Sequence, residues 1–171
     1  MFTNHTSVEP SRKWTLRCLI QPGDIGYIVS LHGTLYAQEY GYDQTFEAYV
    51  AAGLAEFIQP FNPDLDRLWL AEVEGQVIGS IAVDGHPGAE AQLRWFLIHP
   101  TYRNLGLGQA LLTEALQFCK EHNYKTVFLW TVKELSAARH LYHSAGFQKT
   151  DAITHHIWGK TVTQERYDLP L

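Results

Sequence analysis

Arg103-Asn104-Leu105-Gly106-Leu107-Gly108 lies between an extended, apolar segment ending at Ile98 and a helical segment opening near Gly106. No other stretch restricts the fold as strongly. A strand must deliver the chain to a glycine-rich turn, and the turn must start a helix. The first amides of a helix have no internal acceptor, and the helix dipole favours an anion beside them. Glycine at 106 and 108 removes the side chains that would keep a phosphate from the main chain, and Arg103 adds a permanent, multidentate positive charge. The junction therefore suits a pyrophosphate, although a Gly-x-Gly pair also serves a plain tight turn. Two common nucleotide motifs fail here. A P-loop needs Gly-Lys-Ser/Thr, and Gln109-Ala110 follows Gly108 instead. A dinucleotide fingerprint needs a small residue three positions after Gly108, where Leu111 stands.

The rest of the chain reads outward from this junction. Trp14–Ile20 is a first strand, closed by Pro22-Gly23-Asp24. Gly26–Ser30 fits either strand or helix, before a helix His32–Tyr40 that Gly41 ends. Thr45–Ile58 is a second helix, with Phe46, Tyr49, Val50, Leu54 and Phe57 along one side. Arg67–Val73 and Gln76–Asp84 form a hairpin around Glu74-Gly75, and Ala89–Ile98 is a long strand. Gly106–His122 is a helix that Asn123 stops in a left-handed conformation. Lys125–Thr131 has the composition of a strand buried on both faces. Ser136–Ala145 is a helix closed by Gly146, and Phe147–Thr150, His155–Trp158 and Thr161–Leu169 complete the sheet. The order predicts an α/β sandwich around a mixed sheet, not a regular alternating βαβ fold.

Charge and cysteine content narrow the function. The formal net charge is -5, and no run of Lys or Arg exceeds two residues, which argues against nucleic acid as a partner. Cys18 and Cys119 share no motif spacing and read as two buried, reduced thiols. Residues 1–13 are polar, unlike a signal peptide, and are expected to form a flexible tail before a single domain over 14–171. No apolar run approaches the length of a bilayer span, so no membrane partner is expected and the cytoplasm follows by default.

Two separated motifs carry a family resemblance. Leu97-Ile98-His99-Pro100-Thr101-Tyr102-Arg103-Asn104-Leu105-Gly106-Leu107-Gly108 resembles the strand and Arg/Gln-x-x-Gly-x-Gly/Ala loop of the GNAT superfamily of acetyltransferases. About forty residues on, Ala138-Arg139-His140-Leu141-Tyr142-His143-Ser144-Ala145-Gly146-Phe147 is similar to its second signature, ending in Leu-Tyr-x-x-x-Gly-Phe. His32 to Asp43, followed by Phe46-Glu47-Ala48, is similar to acetyltransferase domains fused behind MarR-type DNA-binding domains. There is no room for a winged helix before Trp14, so a free-standing version is expected. The resemblance implies a GNAT-like α/β fold, with a mixed, mostly antiparallel sheet of six to seven strands flanked by about four helices.

It also implies acetyl-CoA as co-substrate, no metal, and transfer of an acetyl group to an amine, with a small molecule favoured over a protein tail. By that resemblance, backbone groups of Phe96, Leu97 and Ile98 pair with the acetyl and pantetheine parts. Arg103 and the amides of Asn104, Leu105, Gly106, Leu107, Gly108, Gln109 and Ala110 hold the pyrophosphate. Tyr142 matches the tyrosine that protonates the leaving thiolate, although Ala138, Leu141, Tyr142 and Ala145 also share the spacing of a core stripe. Leu135 replaces an asparagine that the family often has seven residues before this tyrosine. The general base is open: Gln92 stands where some relatives have a glutamate, leaving Glu90 and Glu72 as candidates. His32, His99 and His156 titrate in the useful range. The acceptor site is expected from His32, Tyr36, Glu39 and Tyr40, with His156 and Trp158 on late strands; a carboxylate such as Glu39 among aromatics suits a cationic amine.

Two other readings compete. A catalytically silent acyl-CoA sensor would keep the fold and lose turnover. A metal protein would use His140, His143, His155 and His156, but no Cys or carboxylate completes that set. The length of the acyl group, the acceptor and a homodimeric state stay open at this level.

Overall fold

The structure, a computed structural model, describes residues 14–171; the expected tail at 1–13 lies outside the described residues. Among them are seven strands, four α-helices and one 3-10 turn. In chain order these are β1 (Thr15–Arg17), α1 (Asp24–Tyr40), α2 (Gln44–Ile58), β2 (Arg67–Val73), β3 (Gln76–His86) and β4 (Glu90–Ile98). The 3-10 turn Pro100–Tyr102 follows, then α3 (Leu107–Glu121), β5 (Thr126–Val132), α4 (Ser136–Ser144), β6 (Gln148–Ile157) and β7 (Lys160–Pro170).

The strands form one sheet in the order β1-β2-β3-β4-β5-β7-β6. Every neighbouring pair is antiparallel except β4 and β5, because α3 carries the chain from the end of β4 back to the start of β5. Helices α1 and α2 cover one face through Ile28, Phe46, Val50, Leu54 and Phe57. Helix α3 covers the other through Leu107, Leu111, Leu112, Ala115 and Phe118, with Tyr142 and Phe147 beside it. The two-residue period of β2 divides its side chains accordingly: Leu68 and Leu70 pack under α1 and α2, Trp69 and Ala71 under α3. Burying each such leucine contributes roughly 2 kcal/mol.

Local chemistry sets the boundaries. Gly23, at φ 98°, opens α1 and Gly41, at φ 71°, closes it, so the ambiguous Gly26–Ser30 stretch is helical and continuous with the predicted helix. Arg17 fixes that helix start, donating to both Asp24 carboxylate oxygens at 2.7 and 2.8 Å and to Glu72 of β2 at 2.7 Å. The Asp43 carboxylate caps α2 by accepting the Thr45 amide. The two predicted strands Phe147–Thr150 and His155–Trp158 are one strand, β6. Its register against β7 shifts between Lys149 and Asp151. That bulge interrupts the side-chain alternation on which the sequence reading relied.

Two irregularities in the middle of the sheet make room for a site. Strands β4 and β5 pair only from Glu90–Leu93 against Thr126–Leu129. Beyond that they part, β4 staying with β3 as far as Ile98 and β5 with β7 as far as Val132. Within β4, Trp95 and Phe96 together oppose Ile81, and Trp95 adopts φ 47°. The buried Ser80 hydroxyl donates to the Trp95 carbonyl at 2.6 Å and holds this bulge. A bulge at this point re-aims the side chains on either side of it.

Candidate active site

Where β4 and β5 part lies an inner cavity of about 120 Å³. Gln92–Phe96 and Leu129–Val132 line it from the two strands; His32 and Tyr36 of α1, Tyr49 of α2, and Leu135, Ala138 and Tyr142 around α4 line it from the helices. Trp158 and Gln164 contribute from the β6–β7 hairpin. That hairpin turns at Trp158 and Gly159, both left-handed, and is pinned to the α1–α2 corner. The Asp43 amide donates to the Trp158 carbonyl at 3.1 Å, Lys160 Nζ donates to the Tyr40 carbonyl at 2.8 Å, and the Trp158 ring contacts Tyr42, Phe46 and Tyr49. A Cβ on Gly159 would fall 2.8 Å from the Asp43 carboxylate, so only glycine lets the turn sit this close.

A larger groove of about 440 Å³ runs along Phe96–Ile98, past the start of α3 and along α4. Tyr36, Phe96, Leu135 and Ala138 border both spaces, which therefore meet there. At the α3 end, Asn104 (φ 61°) and Gly106 (φ 83°) are left-handed, an arrangement that turns successive amides to one side. The amides of Leu107, Gly108 and Gln109 have no intrahelical acceptor. The Ala110 amide does, donating to the Gly106 carbonyl at 3.1 Å, so it is not a free donor as expected. The Leu105 side chain is exposed and borders neither space, and that of Leu107 is buried in the α3 core. At Gly108 a Cβ would come within 3.1 Å of Ile98 Cδ1 and 3.4 Å of Leu141 Cδ2. The glycine is what lets β4, α3 and α4 converge on the groove.

Arg103 and Glu39, expected at different parts of the site, are partners. The guanidinium donates to both Glu39 oxygens at 2.9 and 2.7 Å, and its Nε to the Ile98 carbonyl at 3.1 Å. These bonds hold the Glu39 carboxyl below its usual range. Glu39 is thus neutralised and borders the outer groove beside Tyr40; it is not an amine-holding carboxylate among the inner aromatics. The Ile98 carbonyl is likewise taken.

Tyr142 is buried, and burial pushes its phenol above the usual range, so it stays protonated at neutral pH. Its ring sits between Phe96, Phe147 and Tyr167, and its hydroxyl has no hydrogen-bond partner among the described residues. The core spacing read from the sequence is met, and the residue also borders the inner cavity. His32 is buried, with Nδ1 2.8 Å from the Ile28 carbonyl. A carbonyl only accepts, so Nδ1 carries the proton and Nε2 keeps its lone pair. Burial pushes this imidazole down to about 4.

Three expected residues fall elsewhere. Glu72 is bound to Arg17 at the β1–β2 edge. Glu90 faces Arg166 at 3.6 Å, and neither glutamate borders the inner cavity, where Gln92 stands instead. His156 is exposed on β6, an edge strand, and borders neither space. Cys119 is buried, with its thiol pushed up to about 12, whereas Cys18 is only half-buried. Among the described residues, no group of three His, Cys, Asp or Glu side chains is placed to hold a metal, and no helix is long and apolar enough to cross a membrane.

Sequence reasoning passed over Arg94, Trp130 and Gln164. Arg94 had a signal: a charged residue inside the apolar run Leu93–Ile98. Trp130 and Gln164 had none, since strand divergence is a property of the sheet.

Comparison with known proteins agrees with this geometry. A family model described as Acetyltransferase (GNAT) family matches residues 34–147. An uncharacterised N-acetyltransferase of Schizosaccharomyces pombe is 32% identical over 123 residues, 70% of this chain and 74% of that protein. N-acetyltransferase family 8 member 2 of Rattus norvegicus is 31% identical over 128 residues, and this chain spans only 57% of its length. The crystal structure of a GNAT acetyltransferase from Staphylococcus aureus Mu50 superposes with a TM-score of 0.75 at 18% identity, covering 93% of this chain and 99% of that one. The family signatures thus lie on a fold that the family shares, around the cavities where those signatures converge: the chain belongs to the acetyltransferase (GNAT) family.

Proposed function

We propose that this chain is an acetyl-CoA-dependent N-acetyltransferase that moves an acetyl group directly to the primary amine of a small molecule. The observation that carries this reading is the junction of the two spaces. A groove with free helix-start amides at one end opens, at Tyr36, Phe96, Leu135 and Ala138, onto an inner cavity of mixed lining bordered by Tyr142. Acetyl-CoA supplies an acyl thioester and, after transfer, a thiolate leaving group. The amides of Leu107, Gly108 and Gln109 suit its pyrophosphate, with Asn104 and Gly106 shaping the turn. The free edge of β4 at Phe96 and Leu97 suits an extended pantetheine arm, which would lie there as an added strand. Arg103, held by Glu39, acts on this reading as a brace joining α1 to the end of β4.

Tyr142 is assigned as general acid. A thiolate generated beside this buried phenol is penalised by burial as the phenolate is, so a protonated phenol next to it offsets the new charge. The inner cavity holds no carboxylate among the described residues, which favours a neutral amine entering it over an ammonium ion. His32 Nε2 then accepts an N–H from that amine, a positioning contact more than a strong base. A nearer kinship with domains fused to MarR-type regulators would rest on His32 to Asp43 and Phe46-Glu47-Ala48 alone.

Following thiol release from acetyl-CoA across an amine panel tests the reaction, and binding without turnover would favour a sensor. Tyr142→Phe is expected to lower kcat by roughly 100-fold with little change in acetyl-CoA affinity. Equal turnover in that variant returns Tyr142 to a purely structural place.

A further inference from the structure

Arg94 is the one charged side chain bordering the inner cavity among the described residues; the rest of the wall is aromatic, aliphatic, amide, hydroxyl and the neutral His32. It sits on the residue before the β4 bulge, and its position is fixed from three sides. Nη1 donates to Asp84 of β3 at 3.0 Å. The guanidinium carbon lies 4.3 Å from the centre of the Trp95 ring. Its Nη2 is pressed against α2 where Gly53 leaves space, since a Cβ there would fall 2.7 Å from it. Asp84 occupies a single N–H of the five that a guanidinium carries. A cation held this rigidly, yet with most of its donors unspent, costs little further ordering when an anion arrives. Asp84 pairs with the guanidinium from β3 and does not itself border the cavity, which meets the pair at Arg94.

We propose that Arg94 binds a carboxylate of the acceptor, and that the acceptor is therefore a small amino acid or a close relative carrying an amine and a carboxylate together. The inference rests on the N-acetyltransferase reading and sharpens it. An ammonium ion without a carboxylate would meet at this wall a guanidinium whose unspent N–H groups have nothing to accept them. A zwitterionic acceptor instead places its anionic end on the guanidinium, and the same cation favours loss of the amine proton that acyl transfer requires. Tyr49, Trp130 and Trp158 border the same cavity and offer aromatic surface to an apolar side chain of the acceptor.

Matched acceptors that differ only by the carboxylate test this, for example phenylalanine against phenethylamine and leucine against isopentylamine, with thiol release from acetyl-CoA as the readout. The wild type is expected to prefer the carboxylated partner in kcat/KM by about 10- to 100-fold, the range of a hydrogen bond to a charged group. Arg94→Met is expected to erase that preference while leaving acetyl-CoA affinity, read by calorimetry, unchanged. Gly53→Ala keeps the charge and displaces the guanidinium; it is expected to raise KM for the carboxylated acceptors alone, which keeps the test decisive where Arg94→Met fails to fold. Equal or better turnover of the plain amines, or a preference that survives both variants, overturns the carboxylate site and leaves the acetyltransferase reading standing. No turnover with either member of any pair overturns both.

Discussion

His32 shows how one buried side chain ties stability to pH. Its imidazole is held neutral by burial, with a folded value of about 4 against 6.5 when free. Below pH 6.5 the unfolded chain takes up a proton that the folded chain refuses until about pH 4. Stability is therefore lost as pH falls through that window, by about 1.4 kcal/mol per unit. His32→Gln is expected to remove this dependence, so that its unfolding free energy gains about 2 kcal/mol relative to wild type between pH 7 and pH 5. Urea denaturation at the two pH values reads the difference, and parallel curves would place the imidazole in water. The sequence supplied the residue and its neighbourhood, because His32 precedes Tyr36 by one helical turn. Its neutral state was not legible, since burial depends on α2 and the sheet closing over it. Glu39 shows the opposite case: its helix face was legible, but its partner Arg103 lies 64 residues away.

Among the elements, the start of α3 is the one on which the proposed acetyl-CoA site depends. Two left-handed residues and one missing Cβ bring β4, α3 and α4 within contact of each other. Gly108→Leu is expected to force Ile98 and Leu141 apart or to fill the groove, weakening acetyl-CoA binding at least about 10-fold. The melting temperature should move by only a few degrees, because the side chain points at the groove and not at the packed layer of Leu111 and Ala115. Unchanged affinity by calorimetry would remove the loop from the binding site. This element was the most legible part of the chain, for glycine spacing and helix periodicity are local properties. The splaying of β4 from β5 and the Trp95 bulge are not local. They arise from pairing with β3 and β7, and no pattern within Ala89–Ile98 announces them. For that reason the glycine-rich start of α3 is legible, whereas Glu90 and Glu72, expected as candidates for the base, and His156, expected at the acceptor site, stand away from an inner cavity whose geometry the sheet alone determines.

At the scale of the molecule, Arg17 joins three elements that are far apart in sequence: β1, the Glu72 edge of β2 and the Asp24 start of α1. The Asp24 side chain is only 9% exposed, so removing its partner leaves a nearly buried carboxylate with the Gln21 amide alone. Arg17→Ala is expected to cost about 2 kcal/mol, discounted for the partial exposure of the other groups, and to lower Tm by roughly 4–8 °C in a chain of this length. Thermal denaturation monitored by circular dichroism measures it, and a shift below 1 °C would show the cluster to be ornamental. The β6–β7 turn has a different consequence. Trp158 and Gln164 reach the inner cavity from beyond the segment that the family model spans, which ends at residue 147. On the proposed reading the hairpin adds Trp158 and Gln164 to an acceptor wall otherwise carried by the helices, β4 and β5, Arg94 included. A hairpin tip fastened by two polar bonds and a few ring contacts can be exchanged, lengthened or recoloured while β4 and its Arg94 stay in place, so that part of the wall is free to vary on its own.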